Sequence, residues 1–298
     1  MSIKEKLIDI YDKKYKELMI VTFVILFLAL GVLAYNYATT GEFIQKGVGL
    51  KGGLGITISV NKVCDVAEVQ QKILNKFPNA DITARSLTEF GRQKAIIIEA
   101  SDISQQELIN TLREMGLDMS SKNYSAEQVG SKLGEQFFRQ MMTAIIFAFI
   151  FMSIVVLFTF RTLAPSFFVI LAASADMITT LAIISLMGVK LSMAGIGAFL
   201  MLIGYSVDTD ILLTARVLKR TEGTILERTL GAMKTGMIMS LAGFFAVFAS
   251  YFLTQSEVIK QIMLILSIGL LLDIPNTWIQ NAGILRWYLE WKEARTKK

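Results

Sequence analysis

The sequence predicts an α-helical polytopic membrane protein with six transmembrane helices and a small extracytoplasmic α+β domain. The chain is 53% hydrophobic with a mean hydropathy of +0.53, which is too apolar for an ordinary soluble protein. Its apolar runs are each close to the roughly 20 residues that cross a bilayer. A long polar stretch at 38–136 separates the first run from the others, which indicates one domain outside the membrane.

The chain begins with a charged segment, residues 1–17, that mixes lysines with acidic residues. This mixture predicts a short amphipathic helix on the cytoplasmic surface of the membrane. The apolar run at 18–37 is too long for the core of a signal peptide and lacks a clear small-residue cleavage site. We therefore expect this run to be retained as transmembrane helix 1.

The polar stretch 38–136 opens with a glycine-rich run and then alternates between strand and helix patterns. Ser104 followed by Glu107 forms a capping box, which marks a helix start. The expected elements are a strand at 54–60, a helix at 65–77, strands at 82–87 and 95–100 joined by a turn around Gly91, a helix at 104–115 and a strand at 118–124. The order β-α-β-β-α-β is typical of the ferredoxin-like arrangement.

Hydrophobicity returns after residue 136 and continues almost to the C-terminus. We expect transmembrane helices 2–6 within 137–285, followed by a basic cytoplasmic tail at 286–298. The individual spans are expected at 137–159, 164–187, 191–213, 235–254 and 259–285.

Basic residues predict the orientation of these spans. Most of the Lys and Arg that flank the spans lie in the N-terminal segment, the loops at 159–164 and 213–235, and the tail. The opposite short loops hold only Lys190 and Lys260. The positive-inside rule therefore places both termini in the cytoplasm and the 38–136 domain outside the cell membrane.

The residues that the sequence lacks exclude several classes of function. There is no His, and the lone Cys64 allows neither an internal disulfide nor a cysteine metal cluster. No P-loop, zinc motif or nucleophile–base pair occurs. We expect no enzymatic activity, no cofactor and no metal, so any driving energy would come from an ion gradient. The net charge of +5 reflects topology and predicts no nucleic-acid partner.

Charged residues inside the predicted spans are the candidates for function. A charge at mid-bilayer costs about 2.5–3.5 kcal/mol on insertion scales, so it is kept mainly where it has a partner or a water-filled path. The candidates for ion or proton coupling are Asp208, Asp176, Asp210, Lys234 and Asp273.

The fourth and fifth spans leave two interpretations open. Asp208 and Asp210 are two residues apart and point to nearly opposite faces of a helix, so one partner does not easily serve both. Either they form a proton or ion site that faces the bundle interior or a partner subunit, or one or both lie near the cytoplasmic end and pair with Arg216 or Lys219. Lys234 is either a counter-ion for one of these carboxylates or a lysine that extends to the headgroups.

The third and sixth spans also allow a functional and a structural interpretation. Asp176 follows small residues that let another helix approach closely. Thr179 and Thr180, one turn on, are its expected hydrogen-bond partners. Asp273 is either part of an ion site or a local partner for the backbone that Pro275 disrupts.

A longer motif surrounds the two carboxylates of the fourth span. It consists of Gly204, Tyr205, Ser206, Val207, Asp208, Thr209 and Asp210, and it ends at Arg216. This motif resembles the signature of the SecD/SecF family of protein-export membrane proteins, in its archaeal form. Further similarities are Gly52 and Gly53 at the family's Gly-Gly motif, the small-residue run ending at Asp176, and the C-terminal residues Asp273, Asn276, Trp278, Asn281 and Trp287.

The resemblance implies a role in protein export. The family belongs to the RND superfamily, and the implied partners are a SecD-like subunit in a pseudo-symmetric heterodimer, the SecY channel, the exported polypeptide and membrane lipid. Bacterial members imply coupling to the proton gradient. The chain would then be an accessory subunit of the Sec translocase.

The chain also departs from the bacterial pattern. It has Gly49 in place of the Asp of an Asp-Phe-Thr-Gly-Gly motif, Asp208-Thr209 in place of Asn-Asp, Ala215 in place of an Asp, and Lys234 about where bacteria have an Arg. The carboxylates of the fourth span are therefore shifted. We expect Asp208 to be the most important of them, followed by Asp176 and Asp210.

Two other functions remain open at this point. The first alternative is an RND-type exporter of lipids or small molecules, which has similar spans and intramembrane carboxylates. Such exporters usually carry twelve spans and two large loop domains in one chain, so half of that content favours an obligate partner. The second alternative is a passive scaffold whose carboxylates only form buried hydrogen bonds.

Overall fold

The computed structural model describes residues 3–60, 63–78, 80–89, 92–120, 123–219, 222–254 and 256–296. Within them, six helices are long and apolar enough to cross a membrane, as the sequence predicts. These helices are Ile8–Thr40, Ser131–Phe160, Leu163–Leu186, Met193–Lys219, Ile225–Leu253 and Val258–Arg295. The chain is therefore a multi-pass membrane protein. The turn expected around Gly91 and the basic residues Arg220, Lys297 and Lys298 lie outside the described residues.

Helix α1 (Ile3–Thr40) joins the charged N-terminal segment to the first span. Its backbone leaves helical geometry at Lys14, where φ is −112° and ψ is 17°, so the helix is kinked there. We call the part of α1 from residue 8 to residue 17 the N-terminal segment below. Its kink allows it to run against the C-terminal helix instead of continuing the direction of the first span.

The domain between the first two spans contains a small antiparallel sheet and short helices. Its elements are α2 (Val48–Lys51), β1 (Gly53–Ser59), α3 (Val66–Lys76), β2 (Ile82–Glu89), β3 (Arg92–Ala100), α4 (Gln105–Glu114) and β4 (Tyr124–Val129). The strand order is β2-β3-β1-β4, and all neighbours are antiparallel. The last strand begins at Tyr124 because Asp118 starts a turn, in which it accepts a hydrogen bond from the Ser120 amide at 3.0 Å.

Helices α3 and α4 cover one face of this sheet and complete its core. Alternate residues of β1 point inward, so that Leu54, Ile56 and Ile58 are buried against the two helices. The capping box that the sequence predicts is present, since Ser104 and Glu107 bond reciprocally at the start of α4.

Two consecutive glycines form the junction between the domain and the spans. Gly52 and Gly53 have φ values of 88° and 143°, which other residues rarely adopt. A Cβ on Gly52 would overlap the backbone of Ser131, and one on Gly53 would lie 2.6 Å from the Ala100 carbonyl oxygen. The Gly-Gly pair therefore lets β1 leave the membrane close to the start of the second span.

The remaining spans form the rest of the bundle. They are α5 (Ser131–Phe160), α6 (Leu163–Leu186), α7 (Met193–Lys219), α8 (Ile225–Leu253), α9 (Glu257–Pro275), a π-helical turn (Asn276–Asn281) and α10 (Ala282–Thr296). Helix α7 packs against α5, α6, α8 and α9. In its apolar stretch of 18 residues 56% of the residues are buried, whereas the corresponding fraction is 6% in α5 and 11% in α8. Helix α7 is therefore central, and α5 and α8 present most of their surface outward.

The loop between α6 and α7 ties the domain to the spans. The Lys190 ammonium lies 3.4 Å from an Asp81 carboxylate oxygen, and Lys51 approaches the other oxygen at 3.3 Å. Leu191 donates its amide to the Gln45 carbonyl at 2.8 Å. Burial alone would raise the pKa of Asp81, but the two lysines hold it below its usual value.

We expect Asp81→Asn to loosen the contact between the domain and the α6–α7 loop at neutral pH. A carboxyl whose pKa is lowered by folding stabilises the protein above its unfolded pKa, about 3.9, and this contribution is lost as the pH falls through the folded pKa. Because Asp81 is half exposed, the effect should stay below about 1 kcal/mol. Hydrogen exchange at the Leu191 amide measures it, and the variant should exchange faster only above the unfolded pKa.

Glu114→Gln is the matched control for this substitution. It removes an exposed ion pair with Lys76, of 2.6 Å, that lies wholly within the domain. Leu191 exchange should not change in this variant. If the Leu191 amide exchanged equally fast in Asp81→Asn and in the unmodified protein at pH 7, Asp81 would not stabilise the contact between the domain and the α6–α7 loop.

Candidate functional site: a buried carboxylate cluster

Three aspartates from three spans meet inside the bundle. Asp176 on α6, Asp210 on α7 and Asp273 on α9 have no exposed surface, and the three helices pack pairwise against one another. We refer to these three side chains as the carboxylate cluster. Ala172 and Ala175 on α6 are also fully buried, and such small residues allow the helix backbones to approach closely.

Asp176 accepts hydrogen bonds from two other helices. Ser206 on α7 donates to Oδ2 at 2.5 Å, and Asn276 in the π-helical turn donates to Oδ1 at 2.7 Å. The expected threonine partners do not reach its carboxylate. The Thr179 hydroxyl donates to the Ala175 carbonyl at 2.7 Å and lies 3.3 Å from the backbone carbonyl of Asp176, as buried helical threonines often do.

Among the described residues, the donors to the Asp273 carboxylate are hydroxyl groups. Thr277 donates to Oδ1 at 3.0 Å, Thr209 lies 3.1 Å from the same oxygen, and Ser240 lies 3.3 Å from Oδ2. These residues belong to the π-helical turn, α7 and α8, so Asp273 is held by more than its own span. Pro275 accordingly marks more than a local kink.

Asp210 interacts with Asn281 and Thr277 of the π-helical turn. Asn281 donates to Oδ1 at 2.8 Å, and Oδ2 is buried without a hydrogen-bond partner. Asp210 does not pair with Arg216 in the structure. Arg216 instead donates to the Gly231 carbonyl at 2.8 Å and to the Thr235 hydroxyl at 2.9 Å, which connects α7 with α8.

One short element supplies a donor to each carboxylate. Asn276, Thr277 and Asn281 all belong to the π-helical turn that follows Pro275. From the sequence, Asn276 is expected to form local hydrogen bonds at the Pro275 kink, and Asn281 stands out only within the family resemblance; neither is assigned a carboxylate partner. A run of polar residues in an apolar span was the available signal, and π-helical turns often occur at functional sites.

The chemistry of the cluster follows from its charges. Among the described residues, no Lys or Arg forms an ion pair with the three carboxylates, and the three aspartates do not have the arrangement of a metal-ion site. Its donors are the neutral hydroxyls and amides given above. Burying several ionised carboxylates without a counter-charge costs several kcal/mol per ion. This cost is on the order of the free energy that an ion gradient supplies. The arrangement therefore suits a proton as the neutralising species.

The other two candidates lie outside the cluster. Asp208 is exposed on the outward face of α7, one turn from Gly204 and beside the exposed Tyr205. Lys234 is exposed on α8. The opposite faces expected for Asp208 and Asp210 are thus observed, and Asp210 has the inward one.

The comparison with protein families supplies the decisive similarity. Residues 108–291 match the family model described as protein export membrane protein SecD/SecF, C-terminal. The chain belongs to the SecD/SecF family. Its relatives include SecF of Methanothermobacter thermautotrophicus, 41% identical over 95% of this chain and 96% of the relative. SecF of Pyrococcus furiosus is 36% identical over 98% of this chain and 97% of the relative.

Solved SecDF structures share this fold. The crystal structure of SecDF from Thermus thermophilus, described as a translocon-associated membrane protein, has a TM-score of 0.74 at 19% identity. SecDF in a super-membrane-facing form has a TM-score of 0.64 at 19% identity. The match to the first covers 93% of this chain but only 38% of the solved chain. The SecD/SecF chain described here therefore corresponds to less than half of a SecDF polypeptide.

The family motif on α7 divides between two faces of the helix. Ser206, Thr209 and Asp210 point into the bundle, whereas Gly204 and Asp208 point outward. Ser206 and Thr209 donate hydrogen bonds to the carboxylate cluster, and Asp210 is a member of it. The motif therefore presents one face to the interior of the bundle and the other to its outside.

Proposed function

We propose that this chain is an accessory, non-enzymatic subunit of the Sec protein translocase that promotes export of secreted polypeptides across the cytoplasmic membrane. The observation that carries the proposal is that a member of the SecD/SecF family encloses a carboxylate cluster and corresponds to less than half of a SecDF polypeptide. No cofactor is part of the proposal. The SecY channel, the exported polypeptide and membrane lipid are its further proposed partners.

The proposed driving force is an ion gradient that acts through Asp176, Asp210 and Asp273. Neutralisation of the cluster by a proton would relieve repulsion between α6, α7 and α9, and release of the proton would restore it. Helices that respond in this way can couple ion entry to movement of the bundle. The inward positions make these three residues stronger candidates than Asp208 or Lys234.

The exposed position of Asp208 supports the proposal of a SecD-like partner in a heterodimer. An exposed carboxylate on a membrane helix is costly in lipid, by about 2.5–3.5 kcal/mol, unless a neighbouring helix satisfies it. A Cβ placed on Gly204 or Gly197 would meet nothing within 4 Å, so this face of α7 leaves room for another helix to approach. The proposed SecD-like subunit would cover it.

The proposed topology has both termini in the cytoplasm and the 38–136 domain outside. The segments would be a cytoplasmic 1–17, spans at 18–37 and within 137–285, and a basic tail at 286–298. The antiparallel order β2-β3-β1-β4, with a helix after β1 and another after β3, supports a ferredoxin-like domain.

Two measurements test the proposal, one in cells that lack the chain and one in cells that carry a tagged copy of it. Cells lacking the chain should export a secreted reporter protein more slowly, and the tagged chain should co-purify with a SecD-like subunit in mild detergent. Unchanged export without the chain would contradict the translocase function. A homo-oligomer with bound lipid or small molecules, and no Sec component, would favour the RND-type exporter.

The substitution Asp208→Leu should reduce recovery of the SecD-like subunit at least about tenfold, because a pairing energy of only 1.4 kcal/mol changes an equilibrium by that factor. Asp208→Glu keeps the charge and is the matched control, with recovery near that of the unmodified chain. Quantitative mass spectrometry of the purified complex measures both. Full recovery with Asp208→Leu would show that another surface carries the interaction.

A further inference from the structure

The π-helical turn determines how the side-chain amides of Asn276 and Asn281 are spaced around the helix axis. Asn276 and Asn281 are five residues apart, and both donate into the cluster. In an α-helix of 3.6 residues per turn, residues five apart are separated by about 140° around the axis. The i→i+5 pattern of a π-helix brings them towards the same face. The cluster therefore keeps both amides only while the turn stays π-helical.

The N-terminal segment contacts this turn directly. The Tyr11 hydroxyl donates to the backbone carbonyl of Trp278, in the middle of the turn, at 2.8 Å. Further along α1, a Cβ on Gly283 would lie 3.3 Å from the Met19 Cβ, so α1 and the start of α10 are in close contact. Tyr11 thus links two segments that are separated by 267 positions in the sequence.

Ion pairs hold the N-terminal segment in place against α10. The Arg286 guanidinium lies 2.7 Å from Asp12 and 2.8 Å from Glu290, and it covers the Tyr15 ring at 4.3 Å from the ring centre. Tyr15 also donates its hydroxyl to Glu290 at 2.6 Å. Because Arg286 is well covered, these contacts fix the segment more firmly than exposed ion pairs would.

We propose that Tyr11 is a positioning residue that holds the π-helical turn in register and thereby sets the geometry of the carboxylate cluster. Its hydroxyl fixes the Trp278 carbonyl, and this carbonyl lies between the two Asn residues that bond with Asp176 and Asp210. A change at the N-terminal segment is transmitted through this single hydrogen bond to the cluster. The consequence for export rests on the proposed function, but the geometry does not.

The test compares the full chain with its Tyr11→Phe variant in lipid nanodiscs. Dicyclohexylcarbodiimide reacts with protonated carboxyl groups in apolar surroundings, and mass spectrometry gives the rate separately for Asp176, Asp210 and Asp273. Tyr11→Phe keeps the packed ring and removes only the hydroxyl. We expect at least about a threefold change in the labelling rate of Asp176 or Asp210, equivalent to about half a pH unit in a labelling profile.

Tyr35→Phe is the matched control, since Tyr35 lies on the same helix and is 69% exposed. Its labelling rates should equal those of the unmodified chain. Hydrogen exchange should rise in Tyr11→Phe only at the π-helical turn. Unchanged labelling in Tyr11→Phe, or faster exchange throughout the bundle, would overturn the positioning role. Labelling needs no export, so failure of this inference is distinct from failure of the proposed function.

Discussion

Asp273→Asn should remove the gradient-dependent part of protein export while the protein accumulates normally in the membrane. Asn has almost the shape of Asp and can still accept from Thr209 and Thr277, but it cannot carry the negative charge that binds a proton. We expect the export rate to fall at least about tenfold, or about 1.4 kcal/mol in barrier height. Pulse-chase export of a secreted reporter, with and without an ionophore, measures this.

Asp9→Asn is the control for the loss of a carboxylate as such. Asp9 is 42% exposed and pairs with Lys13 in its own helix, so its removal should leave export unchanged. If Asp273→Asn exported at the normal rate and with normal ionophore sensitivity, the cluster would be a set of structural hydrogen bonds. That outcome would favour the passive scaffold.

Gly236→Ala should destabilise the bundle more than any other single methyl group added to a glycine of α8. Gly236 is buried, and a Cβ there would overlap the indole ring of Trp278, which is 1% exposed. The ring would have to move, and the π-helical turn that carries it would move as well. Overpacking of this kind costs typically about 1–3 kcal/mol.

Gly231→Ala on the same helix provides the comparison. A Cβ on Gly231 meets nothing within 4 Å, so the substitution should gain about 0.5–1 kcal/mol from helix propensity. Thermal unfolding of both variants in the same detergent gives the difference. Equal melting temperatures would mean that the Trp278 ring can be repacked without cost.

The sequence by itself determined the membrane architecture. Hydropathy located the six spans, because a segment of about 20 apolar residues is driven into the bilayer whatever its neighbours are. Local chemistry also located the capping box at Ser104 and the α+β class of the domain. The last strand was placed too early, since a side-chain turn at Asp118 competed with extended structure.

Which carboxylates lie together was decided only by the tertiary structure. Helical periodicity separated Asp208 from Asp210 but gave no information on which of them faces inward. That choice depends on how α7 packs among four other helices, and the packing places Asp210 inward and Asp208 outward. The π-helical turn is contacted by a residue as distant in sequence as Tyr11. Hydropathy is a property of a segment, whereas the pairing of buried polar groups is a property of several helices packed together.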